Sequence, residues 1–334
     1  MEFKDITIVG GGPVGLFAAF YAGMRGMSVR IVDSLPELGG QLAALYPEKY
    51  VFDMPGFPKV LARDLARDMA VQGVQFGPEL CLEETASGLE QVEGGWIVRT
   101  NRAAHASRTV IISAGAGAFS PTRLGVEGEE RYEGKGLMYG VRDKAALTGK
   151  RLVIVGGGDS ALDWCLNLLP TAQGVTLVHR RDQFRAHEDS VRQLFESAVA
   201  RRLFWQVKEL HGEDRLEAAT IENSQTGERE RLELDALIVN VGFKSSLGPI
   251  KDWGLTIEKN QISVNERFET NLAGVFAVGD VCTHANKLKL IATGVGEAAT
   301  AVCIAKTLLE DYMRYLQQRN LQDTYDLLTD REKE

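Results

Sequence analysis

Twice in its 334 residues the chain runs from a short apolar stretch into Gly-x-Gly followed three residues on by Gly or Ala. The first copy is GGGPVG at 10–15. Glycine at Gly10 permits a tight turn, Gly12 lets backbone approach a pyrophosphate, and Gly15 lets the following helix pack on its strand. Pro13 stands at the position where the helix opens. The first free N–H groups of that helix and its dipole favour an anion. Asp33 lies 18 residues after Gly15, at the end of the next apolar run. A carboxylate there accepts hydrogen bonds from ribose hydroxyls.

The second copy, GGGDSA, places Gly156, Gly158, Asp159, Ser160 and Ala161 in the same pattern. Its next apolar run, VTLVH, ends at His179 with no acid, and Arg180, Arg181 and Arg185 follow in HRRDQFRAH. A ribose 2′-phosphate needs cations here, and a carboxylate would repel it. Arginine offers a planar set of donors suited to phosphate. The second loop is therefore expected to take NADP(H) in preference to NAD(H).

Elements must hold these loops. DITIVGGGPVGLFAAFYAGMRGMSVRIVDS (5–34) and KRLVIVGGGDSALDWCLNLLPTAQGVTLVHRR (150–181) each read as strand, glycine turn, helix, strand. The strands are β-branched and apolar throughout, as in a parallel sheet buried on both faces. A βαβ unit is thus used twice. Further strands are expected at WIVRT (96–100), TVIISAG (109–115), within 207–244, and at GVFAVGD (274–280), with a helix at 294–318 and a polar tail after it. Crossings near 113–121 and 242–249 are rich in Gly, Ser and Pro, as linkers often are. The fold class read from this order is α/β, with two Rossmann-like dinucleotide-binding domains. One covers 1–115 and 245–334 and carries the tail from about 319. The other covers 116–244 and is inserted in the first.

The chain carries a net charge of −8 and no long basic run, which gives no sign of nucleic-acid binding. No run of about 20 apolar residues stands out as a membrane span, and MEFKDITIVGGG enters a strand directly, so a cytoplasmic protein is expected. Cys81, Cys165, Cys282 and Cys303 are far apart, with no Cys-x-x-Cys and no metal-binding spacing. No metal is expected, and the thiols read as reduced. AVGDV (277–281), a late strand ending in Gly-Asp, fits a second FAD motif in which Asp280 meets the ribityl chain. LGGQLAALYPEKY supplies Tyr46 and Tyr50, aromatic rings able to stack on an isoalloxazine, with Tyr46 preferred.

The order GGGPVG, GGQL, GGGDSA, HRRDQFRA and VGD resembles the low-molecular-weight thioredoxin reductases over residues 1 to about 310. In that family a redox dithiol lies shortly before the second glycine loop; here GLMYGVRDK (136–144) occupies the place. The glutathione-reductase branch carries cysteines after the first βαβ unit, where this chain has LGGQLAALYP. QLAALYPEKY, CTHANKLKLIATGVGEA and the extra tail look most like the thioredoxin-reductase-like ferredoxin/flavodoxin–NADP+ reductases. That resemblance implies a homodimer and FAD contacts from Asp33, Gln41, Tyr46, Ala86, Phe119 and Asp280. It also implies a contact from a tail hydroxyl, Thr324. Tyr325, the only aromatic of the final tail, is the candidate for a second stack, beside the alternative of a tail that touches nothing.

The implied activity is an NADPH-dependent FAD flavoprotein. Hydride passes from nicotinamide to flavin N5, and electrons pass singly to ferredoxin or flavodoxin, with no residue acting as acid or base. Lys49, Lys59, Lys287 and Lys289 are the lysines considered for an acidic carrier, with ordinary solvated lysines as the alternative. Alternatives of another class stay open: a quinone or flavin reductase, a divergent thiol–disulfide reductase using Cys282 or Cys303, and a nucleotide sensor without turnover.

Overall fold

The computed structural model describes residues 2–331 except Ala116 and Arg142. The side chains of 118–120, 243–245, Leu316 and 319 onward lie outside the described set. The chain divides into two compact units, 1–44 with 51–118 and 246–334, and 45–50 with 119–245.

In the first unit the strand Lys4–Val9 pairs in parallel with Val29–Val32 on one side and with Ala104–Ile112 on the other. Ile6 and Ile8 are wholly buried, which accounts for the apolar run: a central parallel strand has no face in water. The sheet order is Glu79–Cys81, Val29–Val32, Lys4–Val9, Ala104–Ile112, Gly95–Thr100, Ala86–Val92. The far edge of Ala104–Ile112 is shared. Its first half pairs antiparallel with Gly95–Thr100, and its second half pairs in parallel with Val275–Ala277. Helices Pro13–Met24 and Ala62–Gly73 belong to the same unit and pack on one another.

The second unit repeats the plan. Its sheet runs Leu137–Met138, Ala236–Asn240, Arg151–Gly156, Gly174–His179, Ala200–Leu203, parallel throughout. Helix Asp159–Leu168 covers one face through Ala161, Leu162 and Cys165, which share a core with Ile154, Ala236 and Ile238. The other face, with Val153, Leu237 and Val239, packs with Trp205, Val207 and Ile221 of an antiparallel three-stranded sheet. The expected α/β class with two dinucleotide-binding folds is the observed one.

Three stretches differ from expectation. Residues 45–50 cluster with the second unit, where Lys49 pairs with Asp163 at 2.6 Å and the Leu45 carbonyl packs near Gly140. The expected tail from about 319 is helical: one helix runs Ile291–Arg331. After Gly296 that stretch holds no Gly or Pro, so nothing in the backbone chemistry stops it. Its portion Ile291–Tyr315 is long and apolar enough to cross a bilayer by length and composition. However, Ala298, Ala301, Val302, Ala305 and Leu309 form a buried stripe at helical spacing, and the helix packs against Pro13–Met24. Finally, GLMYGVRDK, given no element in the sequence and marked only as the place a dithiol would occupy, holds the edge strand Leu137–Met138 and the buried residues Tyr139 and Val141.

Candidate functional site

The first glycine loop closes at the carboxyl end of the central strand. Gly10 has φ 115°, and a Cβ there would lie 2.5 Å from the Ser113 carbonyl oxygen; both the turn and the crowding demand glycine. Gly12 differs. Its φ is −75°, and the nearest atom to an added Cβ is the Gly40 Cα at 3.9 Å. Among the described residues nothing crowds a Cβ at Gly12, which leaves its backbone open to the close approach of a ligand. Gly12 caps the helix Pro13–Met24 and Pro13 fills its first turn, where a missing N–H costs nothing. A Cβ on Gly15 would sit 1.9 Å from the Gly10 carbonyl oxygen, so helix and turn touch.

Asp33 is buried at the end of its strand. Its carboxylate accepts hydrogen bonds from the Gly11 N–H and from the Leu35 N–H at 2.8 Å. Burial pushes its pKa up, opposed by those two N–H groups. It therefore braces the glycine loop from the end of the neighbouring strand. Gly11 carries no sequence signal beyond its place in a run of three glycines. The Asp33 carbonyl accepts from the Glu84 N–H at 2.9 Å, which brings Ala86, at the head of its strand, near the same end of the sheet. The Gln41 amide lies 3.0 Å from where a Cβ on Gly115 would be.

The Gly279-Asp280 turn follows the strand Val275–Ala277. The Asp280 carboxylate makes no hydrogen bond or ion pair among the described residues, although burial pushes its pKa up against the Lys289 and Lys287 charges. Residues distant in sequence hold this turn. Gln261 donates to the Asp280 and Cys282 carbonyls at 3.0 and 2.9 Å. Glu297, 6% exposed, accepts from the Gly279 N–H at 2.7 Å and pairs with Lys287 at 2.5 Å. Neither Gln261 nor Glu297 carries a local sequence signal. Lys287 is thus committed to a buried ion pair and Lys49 to Asp163. This removes both from the set of lysines considered for an acidic carrier.

In the second unit Gly156 has φ 153°, and a Cβ on it would lie 2.3 Å from the Asn240 carbonyl oxygen. Gly158, the cap of helix Asp159–Leu168, has only the Arg185 carbonyl oxygen near an added Cβ, at 3.8 Å. Again nothing among the described residues crowds the second glycine. Asp159 accepts from the His187 N–H at 2.8 Å, and the Arg185 N–H donates to the Gly157 carbonyl at 2.7 Å. These two bonds fasten the arginine segment to the glycine loop. His179 packs its ring on Gly157, stacks on Phe184 with centroids 5.0 Å apart, and engages the Gln183 carbonyl, so it is a brace of the loop. Ser160 is exposed in the first turn of the helix.

Arg180, Arg181 and Arg185 are exposed, and their guanidinium groups have no protein partner among the described residues. Every other described arginine of this unit, from Arg123 to Arg231, has a carboxylate or carbonyl partner. Three neighbouring cations, unpaired among the described residues and beside an open glycine loop, offer donors suited to a phosphate. Tyr46 falls in the 45–50 segment of the second unit. Phe119, Thr324 and Tyr325 have side chains outside the described residues.

All four cysteines are free. Burial raises the Cys282 thiol to about 12 and the Cys81 thiol to about 11, and it raises that of Cys165 as well. Such thiols stay protonated at neutral pH and are poor nucleophiles. Glu79, Cys81 and His105 lie together, a combination able to hold a metal. Here Arg30 and Lys4 pair with Glu79, and Glu84 pairs with His105 at 2.8 Å.

The model of the family described as pyridine nucleotide-disulphide oxidoreductase matches residues 4–301. The chain belongs to that family. Its ferredoxin–NADP reductase and thioredoxin-reductase-like members use FAD and NADP(H), and the open second glycines, with Asp280 and the three arginines unpartnered among the described residues, fit those groups. Among curated family members, the chain is 53% identical over 312 residues to the ferredoxin–NADP reductase of Geobacillus kaustophilus, covering 93% of this chain and 94% of that one. It is 52% identical over 315 residues to that of Halalkalibacterium halodurans, covering 94% and 96%. Among solved structures it is similar to the thioredoxin reductase of T. acidophilum, with TM-score 0.81, 27% identity, and coverage of 94% and 100%. It is also similar to that of Lactococcus lactis, with TM-score 0.80, 27% identity, and coverage of 92% and 99%.

Proposed function

We propose that this chain is a ferredoxin–NADP+ reductase: an FAD flavoprotein that passes electrons between NADP(H) and ferredoxin or flavodoxin without a redox dithiol. The observation that carries the reading is the pairing of two intact nucleotide loops with four isolated free cysteines, three of them buried and protonated. The relatives bearing the name ferredoxin–NADP reductase support it. The first loop, through Gly12 and the helix N-terminus, binds the FAD pyrophosphate, with Asp33 at the ribose and Asp280 at the ribityl chain. Arg180, Arg181 and Arg185 bind the 2′-phosphate of NADPH, and Gly158 admits its pyrophosphate. FAD, when bound, supplies hydride exchange with nicotinamide and one-electron exchange with the carrier. The protein binds and orients both nucleotides, and Gln261 and Glu297 keep the Asp280 turn in place.

Homodimeric assembly and a cytoplasmic location are parts of the same proposal. Free thiols suit a reducing compartment. The test is NADPH-driven cytochrome c reduction with and without added ferredoxin or flavodoxin, beside a thioredoxin/DTNB assay. Strong stimulation by the carrier is expected, with no thioredoxin reduction, and Cys282→Ser retains full carrier-dependent activity. Strong thioredoxin reduction, or cytochrome c reduction indifferent to every carrier, would overturn the reading.

A further inference from the structure

The strand Ala236–Asn240 ends beside the second glycine loop, and its last residue pairs in register with Gly156. Asn240 was not marked by any motif. Its side-chain nitrogen is buried and has no hydrogen-bond partner among the described residues. A buried amide N–H left unmade costs about 1–3 kcal/mol, and native structures rarely carry one without a reason.

Strand alternation says where this side chain lies. Ala236 and Ile238 pack in the core shared with helix Asp159–Leu168, whereas Leu237 and Val239 pack on the opposite face. Side chains two apart share a face, so Asn240 continues the helix-covered side, beside the N-terminus of Asp159–Leu168. The first unit offers a control. There the register-equivalent residue is Ser113: Val9 pairs with Ile112 as Val155 pairs with Val239. The Ser113 hydroxyl is satisfied inside the loop, donating toward the Gly10 and Val9 carbonyls at 2.9 and 3.3 Å. At the same place in the second unit the donor is left over.

Its position also selects a half of the nucleotide. Arg180 and Arg181 follow Gly174–His179, on one side of the central strand Arg151–Gly156, and Asn240 ends the strand on the other side. A dinucleotide lies across the crevice between the two neighbours of such a strand. With its 2′-phosphate at the arginines, its other end reaches Asn240. We infer that the Asn240 carboxamide donates a hydrogen bond to the nicotinamide half of bound NADP(H) and is a positioning residue for that half. The inference rests on the NADP(H) reading of the second loop.

The test uses full-length, FAD-loaded protein and measures binding of NADP+ and of 2′,5′-ADP by calorimetry, with no turnover. Wild type, Asn240→Ala and Asn240→Asp are compared, and folding is checked by flavin content and thermal midpoint. Asn240→Ala is expected to weaken NADP+ by about five- to tenfold, the loss of one hydrogen bond. Asn240→Asp weakens it further, because it replaces the donor with a negative charge. Both variants keep wild-type affinity for 2′,5′-ADP, which lacks the nicotinamide half, and Asn240→Ser recovers part of the NADP+ affinity. Unchanged NADP+ affinity in both variants overturns the inference, as does equal weakening of both ligands, which marks a structural role. If wild-type protein binds neither ligand, the NADP(H) reading itself fails, and with it the inference.

Discussion

In the first unit the residue facing the leading glycine is Ser113; in the second it is Asn240, and the two loops differ from there outward. Ser113 closes on its loop with a hydroxyl that also lies 2.6 Å from where a Cβ on Gly15 would be, so strand, turn and helix are in mutual contact. Asn240 leaves its amide unspent. In the second unit Ala161 takes the place of Gly15, so that helix stands far enough from its turn to admit a methyl group. Outside the loops the contrast continues. The first unit braces its Gly-Asp turn with the buried Lys287–Glu297 pair, while the second ties strand Arg151–Gly156 to Asp235 with a pair on the surface. One motif thus closes in two ways: with a glycine helix seat and a satisfied hydroxyl in the first unit, and with an alanine seat and a spare amide in the second.

The sharpest way to break this comparison is valine in place of successive glycines. Gly10→Val forces a side chain into the Ser113 carbonyl at positive φ, and it is expected to yield insoluble protein. Gly12→Val is expected to fold, by far-UV circular dichroism, and to purify without bound flavin; Gly158→Val is expected to keep its flavin and lose NADP+ binding. If Gly12→Val unfolds the protein, the second glycine answers to packing rather than to the ligand.

Next in size is Glu297→Leu, which removes the ion-pair partner of the buried Lys287. A loss of about 3–5 kcal/mol is expected in denaturant unfolding of the first unit, with Glu297→Gln milder because it still accepts from Gly279. A loss below about 1 kcal/mol would show that the pair is solvated in solution.

A smaller change is expected from Arg180→Glu with Arg181→Glu. Charge-assisted hydrogen bonds of this kind contribute about 1.5–3 kcal/mol, so the NADPH-over-NADH ratio of kcat/KM falls by at least about tenfold, mostly through NADPH. An unchanged ratio would move the 2′-phosphate elsewhere.

The smallest effect belongs to Asp235→Asn. The Arg151 guanidinium holds the Asp235 carboxyl down at about 2 against an ordinary 3.8. A depressed acid stabilises the fold above its unfolded pKa, and that contribution is lost as pH falls from about 3.8 toward 2. Both groups are partly exposed, so the thermal midpoint at neutral pH drops by about 2 °C or less. Wild type and variant converge as the acid window is crossed; a large drop would make this pair as structural as Lys287–Glu297.

The two βαβ units, their glycine loops, Asp33, Asp280 and the arginine trio were legible because each depends on local chemistry: a turn, a strand end, a helix start. The segment GLMYGVRDK was legible as lacking thiols but not as an edge strand, since Leu137–Met138 is too short to announce itself without its partner Leu237–Ile238. The final helix runs past its apolar stretch because polar residues without Gly or Pro sustain a helix readily, whereas polar composition alone suggests a tail. Gln261, Glu297 and Lys287 were not legible as site residues. Their work is done across 18 to 21 positions of sequence, or from inside an ion pair that composition does not show.

By itself the sequence determined what the backbone must do at each nucleotide loop, because glycine, proline and the order of β-branched runs act within a few residues. It also determined that the chain carries no Cys-x-x-Cys pair. Tertiary structure decided which side chains remain for a ligand. Whether a carboxylate, an amide or a guanidinium is already satisfied depends on partners brought from distant strands. Asp235, Glu297 and Ser113 are spent in the fold, whereas Asp280, the Asn240 amide nitrogen, Arg180 and Arg181 find no partner among the described residues.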